Sequence, residues 1–364
     1  MRRELRDLIR EDGDVITLLL GFISVIGGVA WAYGLQGRFS IFIYPEIAIQ
    51  AMVYIVFILF FFRGVWLMLI TRPDKPISDM VRQARGVLLD AGPLRITIIM
   101  MMFSFFLSAA SSFKTLIPAI NPYQWDPFLA DLDRMLHGGK QPWEWVQPFI
   151  QGWGLTQLVN FLYNLWFFLV VGSLAWMVVD VRHPSVRKQY LISYASTWLL
   201  NGALLALLFS SGGPCYFGRL FPDLQDPFSG LMSYLGAAYQ GAPAWAVGTQ
   251  DHLWSIYEKR DFAVGSGISA MPSMHVSLAW LLFLLAARAG LWWGLLAFVY
   301  VVVILLGSVH LGWHYLVDGY VSIFTTSIIW VLAGAWSRRT VAIANRKSPE
   351  CAAPGIPATV DECR

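Results

Sequence analysis

Apolar residues in this chain neither alternate nor keep to one narrow stripe; they run on in blocks of seventeen residues or more, separated by polar stretches. A bilayer core about 30 Å thick takes roughly 20 apolar residues per helix. The pattern predicts eight such helices: Val15–Tyr33, Ile47–Ile70, Ile96–Phe113, Leu155–Val179, Tyr190–Phe209, Met271–Ala287, Ala289–Val309 and Trp313–Trp336. Arg63 interrupts the second and points to an end near Phe62, and very short connections join the last three. The expected fold is all-α, a polytopic membrane helix bundle with a six-helix core. Residues 1–93 would hold an amino-terminal tail and two additional helices, 94–337 the core, and 338–364, with Pro349, Pro354 and Pro357, a disordered cytoplasmic tail.

Composition agrees. Of 364 residues 57% are hydrophobic and 13% charged, against about 25% charged in soluble domains, which excludes a soluble globular protein. Cys215, Cys351 and Cys363 have no ligand-like spacing, so neither a thiolate zinc site nor a disulfide framework is expected. The net charge of +3 is small and its basic residues are scattered, so no nucleic acid partner is implied. Their placement is informative: with both termini on one side, nineteen of the 26 Lys and Arg fall in the segments on that side. By the positive-inside bias the termini are cytoplasmic. The long loops 114–154 and 210–270 then face outward. In the first, Phe128, Leu129, Leu132, Met135 and Leu136 recur at helical spacing, which predicts an amphipathic interfacial helix near 126–137, read as a lid or brace, with Trp143 and Trp145 as anchors.

Three of the six histidines, His275, His310 and His314, stand where predicted spans meet this outer side. His314 and Asp318, four apart, share a helical face, and ionisable groups at the membrane edge point to function. A carboxylate on one imidazole nitrogen fixes the tautomer and leaves the other as nucleophile or base. The opening of the sixth span, Gly265 to His275, puts Pro272 at the first helical position and Ser273 among the first-turn N–H groups, a cradle for a phosphoryl oxygen. His275, one turn on, is placed to protonate a leaving oxygen.

ProSerMetHis at 272–275, followed about forty residues later by HisLeuGlyTrpHisTyrLeuValAsp at 310–318, resembles the second and third signatures of the type 2 phosphatidic acid phosphatase superfamily. The resemblance covers the last six spans. It implies metal-independent phosphoryl transfer through a phosphohistidine on a six-helix core, without a cofactor, with His314 as nucleophile, Asp318 as its orienting carboxylate, His275 as general acid and Ser273 as a phosphate ligand. Gly307 and Ser308 stand where that family's third signature carries Ser and Arg, so one cationic clamp is missing. GlyGlyProCysTyrPheGlyArgLeu from Gly212 looks like the proline-and-tyrosine loop of the inositolphosphorylceramide synthase branch, and AsnPheLeuTyr at 160–163 echoes that branch's tyrosine-bearing helix. Arg219 is the first candidate for the replacement cation and Lys114 the second, with Lys259 and Arg260 behind them; Lys114–Pro122 nearly matches the family's first signature, but follows the wrong helix. Tyr216, Ser308 and His310 complete the expected phosphate contacts.

The reading is a lipid phosphatase or phosphotransferase acting on a phospholipid or polyprenyl phosphate in the bilayer. It places the protein in a bacterial inner membrane with the site periplasmic; a Golgi membrane would put it in the lumen. Two alternatives stand beside it: a metal-dependent hydrolase built on His275, His310, His314 and Asp318, and a transporter or non-catalytic scaffold using Glu46, Arg63 and the histidines as a polar pathway.

Overall fold

The computed structural model describes residues 2–66, 69, 75–238, 245–261 and 265–346. All regular structure among them is helical. In chain order the helices are α1 (Arg2–Ala32), α2 (Pro45–Trp66), α3 (Pro76–Ala91), α4 (Pro93–Ile120), α5 (Asp126–Leu136), α6 (Pro142–Ile150), α7 (Trp153–Val179), α8 (Pro184–Leu199), α9 (Ser229–Ala238), α10 (Trp245–Lys259), α11 (Met274–Ala289), α12 (Leu291–His310) and α13 (Leu316–Arg346). Among the described residues six helices are long and apolar enough to cross a membrane: Leu8–Ala32, Pro93–Ile120, Gly154–Val179, Pro184–Leu208, Leu291–His310 and Leu316–Val341, with Met274–Ala289 a shorter apolar helix. The protein is a multi-pass membrane helix bundle.

α4, the start of α8 and the end of α13 outrun the apolar blocks that predict them, because a helix end takes polar residues and proline readily, whereas α11, α12 and α13 start two or three residues inside theirs. Pro93 and Pro184 open α4 and α8, where a missing N–H costs nothing. The second apolar block lies on α2, whose helix continues through Arg63 to Trp66; residues 67–68 and 70 lie outside the described residues. At the carboxyl end, α13 runs to Arg346, so residues 338–346, expected in a disordered tail, are helical; residues 347–364 lie outside the described residues.

One continuous core joins α1, α4, α7, α8, α11, α12 and α13. In α1, Val15, Leu19, Phe22 and Ile26 are buried, and α1 packs on α4 and α8. The first helix is thus part of the bundle. Lipid supplies no hydrophobic drive between helices, so close packing and interhelical hydrogen bonds carry association. Serines of α4 show how: Ser112 Oγ accepts from Ser40 N at 3.0 Å and donates to Ser40 O at 2.9 Å, and Ser108 Oγ accepts from Tyr44 N at 3.0 Å. These bonds hold the segment after α1 against the end of α4. A π-helical stretch, Leu200–Leu205, continues α8 and sets Asn201 between α11 and α13, where its Nδ2 meets Ser277 Oγ at 2.9 Å and Thr326 Oγ1 at 3.4 Å.

The start of α11, the end of α12 and the start of α13 lie at one end of the bundle, together with α5, α6, α9 and α10. This is the histidine end. The opposite end gathers the starts of α1, α4 and α8.

Candidate active site

Ser273 is the N-cap of α11, its Oγ accepting the Val276 N–H at 3.3 Å. Serine is among the best caps because its oxygen reaches a first-turn donor. Pro272, expected at the first helical position, therefore stands outside the helix, ahead of the cap, after a cis Met271–Pro272 bond. Ser273 O accepts from Ser277 Oγ at 2.8 Å and from Ser322 Oγ at 2.9 Å. Ser322 Oγ also reaches Asp318 O at 2.6 Å, so the starts of α11 and α13 are tied together.

His310 and His314 do not share a helix. α12 ends at His310, and a turn with Gly312 at φ +73° intervenes before α13. Both Trp313 N and His314 N donate to Ser308 O, at 2.9 and 3.3 Å, and fix the turn. His314 Nδ1 lies 2.8 Å from the Ala270 carbonyl and 3.4 Å from Asp318 Oδ2. A carbonyl only accepts, so Nδ1 carries the proton and Nε2 keeps the lone pair. The nearer orienting group is thus a backbone oxygen, with Asp318 second. Asp318 Oδ2 also accepts the Tyr315 N–H at 3.0 Å, which makes it a cap of α13. Ala270 is held in turn: its N–H donates to Ser211 O at 3.0 Å, and Met271 N to Ser211 Oγ at 3.1 Å. No side-chain motif could have revealed this carbonyl.

The His275 ring sits 6.1 Å from that of His314, centroid to centroid. It lies against Tyr163 at 4.5 Å and Trp166 at 4.3 Å, and Trp166 Nε1 donates to His275 O at 3.0 Å. Tyr163 belongs to the AsnPheLeuTyr stretch; Trp166, one helical turn on, carried no signal in the sequence.

Of the two leading cations, the structure brings Lys114 rather than Arg219 to the histidines. Lys114 on α4 acts electrostatically on both His275 and His314, and its Nζ lies 5.9 Å from the Trp198 ring. Gly267, at φ +96°, packs so closely that a Cβ there would come within 2.8 Å of the Lys114 backbone carbon. Arg219 lies elsewhere because the exposed Asp251 takes it, at 2.6 Å, over the Trp254 ring. Tyr216 is buried with its hydroxyl committed to Gln250 O at 3.0 Å. Ser308 Oγ turns back to Leu305 O at 2.8 Å, as a helical serine readily does. His310 Nε2 pairs with Thr156 Oγ1 at 3.0 Å, which meets Tyr234 Oη at 2.8 Å. The expected phosphate contacts at Arg219, Tyr216, Ser308 and His310 therefore do not join the pair. Among the described residues no three His, Cys, Asp or Glu side chains assemble as a metal set.

Two carboxylates of α5 hold the loops behind His314. Asp126 accepts from Gly212 N at 2.9 Å, Gly213 N at 2.7 Å and Tyr315 Oη at 2.8 Å. Asp133 accepts from Leu316 N at 2.7 Å and Val317 N at 2.9 Å, two orphan donors at the start of α13. Burial pushes both carboxyls above the usual range, and these donors pull them back only in part. The buried side of α5 is therefore polar as well as apolar: Asp126, Leu129, Ala130 and Asp133 face inward, while Phe128, Met135 and Leu136 are exposed.

A family model described as the PAP2 superfamily matches residues 127–332, more than half of the chain. The chain belongs to that superfamily and is a membrane phosphatase-type lipid enzyme. No curated protein and no solved structure matches it. Lys114 lies outside the matched segment.

Proposed function

We propose that the protein is a metal-independent lipid phosphatase or phosphotransferase working through a phosphohistidine on His314. The observation that carries this reading is the His275–His314 pair, 6.1 Å apart, with His314 Nδ1 engaged by Ala270 O and Nε2 left to attack. In the first step the Nε2–P bond forms and the P–O bond to the leaving group breaks, with His275 supplying the proton to the departing oxygen. In the second, water or an alcohol attacks phosphorus, the P–N bond breaks, and His275 takes the proton back. Lys114, the Ser273 O–H and the first-turn N–H groups of α11 stabilise charge on the phosphoryl oxygens. Water gives a phosphatase and an alcohol a transferase. Tyr163 against His275, and the bond from Cys215 N to Gly312 O that seats the Pro214–Tyr216 turn beside the histidine loop at 2.9 Å, support the transferase-like branch. The clustering of Arg95, Arg187, Lys188 and Arg288 toward the opposite end supports a periplasmic or lumenal site with cytoplasmic termini.

The test uses protein purified in detergent with EDTA, offered phosphatidate, a polyprenyl phosphate, and phosphatidylinositol with ceramide, with His314→Ala as control. Metal-independent turnover that disappears in the variant is expected, free phosphate marking hydrolysis and a new phospholipid marking transfer. Turnover indifferent to His314 would overturn the mechanism, and turnover lost in EDTA and restored by zinc would favour a metal-dependent hydrolase.

A further inference from the structure

A polar seam runs through the apolar core of the bundle. Along α8 and the π-helical stretch that continues it, Gln189, Ser193, Thr197 and Asn201 recur every four residues and so share one helical face. All four are buried, Gln189 at 3% exposure and the others at 0%. Asp318, Ser322 and Thr326 form a matching stripe on α13, and Ser273 and Ser277 stand at the start of α11; these five are buried too. α8 packs against both helices, so the three stripes meet.

Hydrogen bonds close the seam at both ends. Toward the arginine end Gln189 Nε2 donates to Trp330 O at 2.9 Å, and Gln189 Oε1 accepts from Arg288 Nη2 at 3.1 Å. Toward the histidine end Asn201 Nδ2 donates to Ser277 Oγ, Ser277 and Ser322 both donate to Ser273 O, and Ser322 Oγ also reaches Asp318 O. Between these ends the pairing fails. Ser193 Oγ, Thr197 Oγ1 and Asn201 Oδ1 have no hydrogen-bond partner among the described residues, and neither has Asp318 Oδ1 where the seam meets the histidines. A buried polar group left unpaired in apolar surroundings carries a desolvation penalty that folded proteins avoid. Three in successive turns of one face form a pattern, and the pattern points to a ligand.

We infer that the seam binds a short file of internal water molecules, held at Ser193, Thr197 and Asn201 inside the membrane-spanning part of the bundle. The chemistry of the unpaired atoms selects water. The two hydroxyls donate and accept, whereas the Asn201 amide oxygen only accepts, so the guest must both give and take hydrogen bonds. A metal cation gives none and needs a closed shell of oxygen acceptors. Spacing agrees: four helical residues rise about 6 Å, roughly twice an O–H···O distance, so one water fits between each pair of side chains. The π-helical stretch turns Asn201 into the seam, a distortion that recurs at functional sites. Arg288 stops the file at the arginine end, since a guanidinium repels protons; the file is blind and is no path across the membrane. At its other end the file fixes Asn201, and Asn201 is a positioning residue for the starts of α11 and α13 through Ser277, Ser273 and Ser322. That last link alone rests on the phosphohistidine reading.

The experiment uses the full chain and reads hydration without turnover. Water-edited solid-state NMR in liposomes, with threonine and leucine labelled and Thr197 assigned by its loss in Thr197→Val, follows magnetisation from water to the buried side chain. Transfer to Thr197 is expected to be several times faster than to the fully buried Leu191; equal rates overturn the file. Thermal unfolding in detergent supplies a second reading by its sign. Thr197→Val keeps the shape and removes the hydroxyl, so with water bound it deprives that water of a partner and should lower the melting temperature by about 2–4 °C. A dry, unpaired hydroxyl would instead be better removed, and a rise in melting temperature overturns the proposal. Ser193→Ala should shift in the same direction, and the double variant should lose less than the sum because the two share a water; additive losses overturn that sharing. Asn201→Leu should lower kcat per folded molecule about tenfold at unchanged KM, as expected of a group that acts on the transition state through others. Unchanged kcat removes Asn201 from positioning. Should His314 prove dispensable, the NMR and melting results still decide whether the seam is hydrated.

Discussion

The two ends of the bundle bury carboxylates by opposite means. At the arginine end Asp12, fully buried, meets Arg187 Nη1 at 2.5 Å and Arg95 Nε at 2.7 Å, while Asp14 takes Lys188 Nζ and Trp336 Nε1, each at 3.0 Å. At the histidine end Asp126, Asp133 and Asp318 are as deeply buried, and their close partners are backbone N–H groups and a tyrosine hydroxyl; among the described residues no Lys or Arg pairs with them. The two arginines and Lys188 neutralise Asp12 and Asp14 and tie α1, α4 and α8 together, and the Trp336 indole adds α13. N–H donors hold loops in register and leave the nearby cation, Lys114, available. One end is built for cohesion, the other for positioning the His314 imidazole.

The largest expected effect breaks chemistry without breaking the fold. His314→Ala should lower kcat about 10⁴-fold or more, the usual scale for a lost nucleophile, with its melting temperature in detergent close to wild type; a variant that retains a tenth of the activity would remove His314 from the mechanism. Asp12→Ala should do the reverse. It leaves Arg187 buried without its partner and should cost about 3–5 kcal/mol of stability, read by thermal unfolding, with turnover per folded molecule unchanged. If Asp12→Ala silenced the folded enzyme, the division of labour between the ends would be wrong.

Smaller effects sharpen the contrast within the histidine end. Asp133→Ala removes the acceptor for Leu316 and Val317 N–H, next to His314, and should cost about 2–3 kcal/mol together with a lower kcat. Loss of stability alone would reduce Asp133 to a fastener. Gly213→Ala should cost about 1–2 kcal/mol, since φ +99° disfavours a side chain and the new Cβ would lie 2.7 Å from Trp313 O. Proteolysis or unfolding assays read the stability, and product release at fixed folded protein shows whether the His314 turn has moved.

The sequence was most legible where one physical demand acts alone. Long apolar blocks must become helices in lipid, so hydropathy marks these helices, but of the eight expected spans six are long and apolar enough to cross among the described residues, α11 is shorter, and α11 and α13 start three residues inside their blocks. His275, His314, Asp318 and Ser273 were legible because a motif keeps them close along two helices that start at one face. What escaped depends on partners far away in the chain. Asp12 and Asp14 fall in the stretch that reads only as an amino-terminal tail, since nothing local announces Arg187 or Lys188 about 175 residues on. Ala270 O has no side chain to notice. Arg219 has the better chemistry for a phosphate, but Asp251 holds it, while Gly267 lets the loop 265–271 pack against Lys114, a placement that nothing in the local sequence announces.

The subtlest difference between the ends should appear in pH dependence. Burial raises Asp126 above the ordinary carboxyl value of 3.8, and the bonds from Gly212, Gly213 and Tyr315 only partly offset it. A carboxyl whose folded value lies above its unfolded one binds its proton more tightly when folded. Its contribution to stability is therefore complete below 3.8 and is lost as pH rises through the folded value. Asp126→Asn cannot titrate; it puts one amide NH₂ among three donors, a cost that is the same at every pH. Subtracting the variant's unfolding free energy from that of wild type, across acid to neutral pH, should thus give a difference that favours wild type most in acid and shrinks as pH rises. The same subtraction cancels titrations elsewhere in the bundle. A difference that grows with pH would mean that the three donors outweigh burial and hold Asp126 ionised, and the assignment of a raised carboxyl to this end would be wrong.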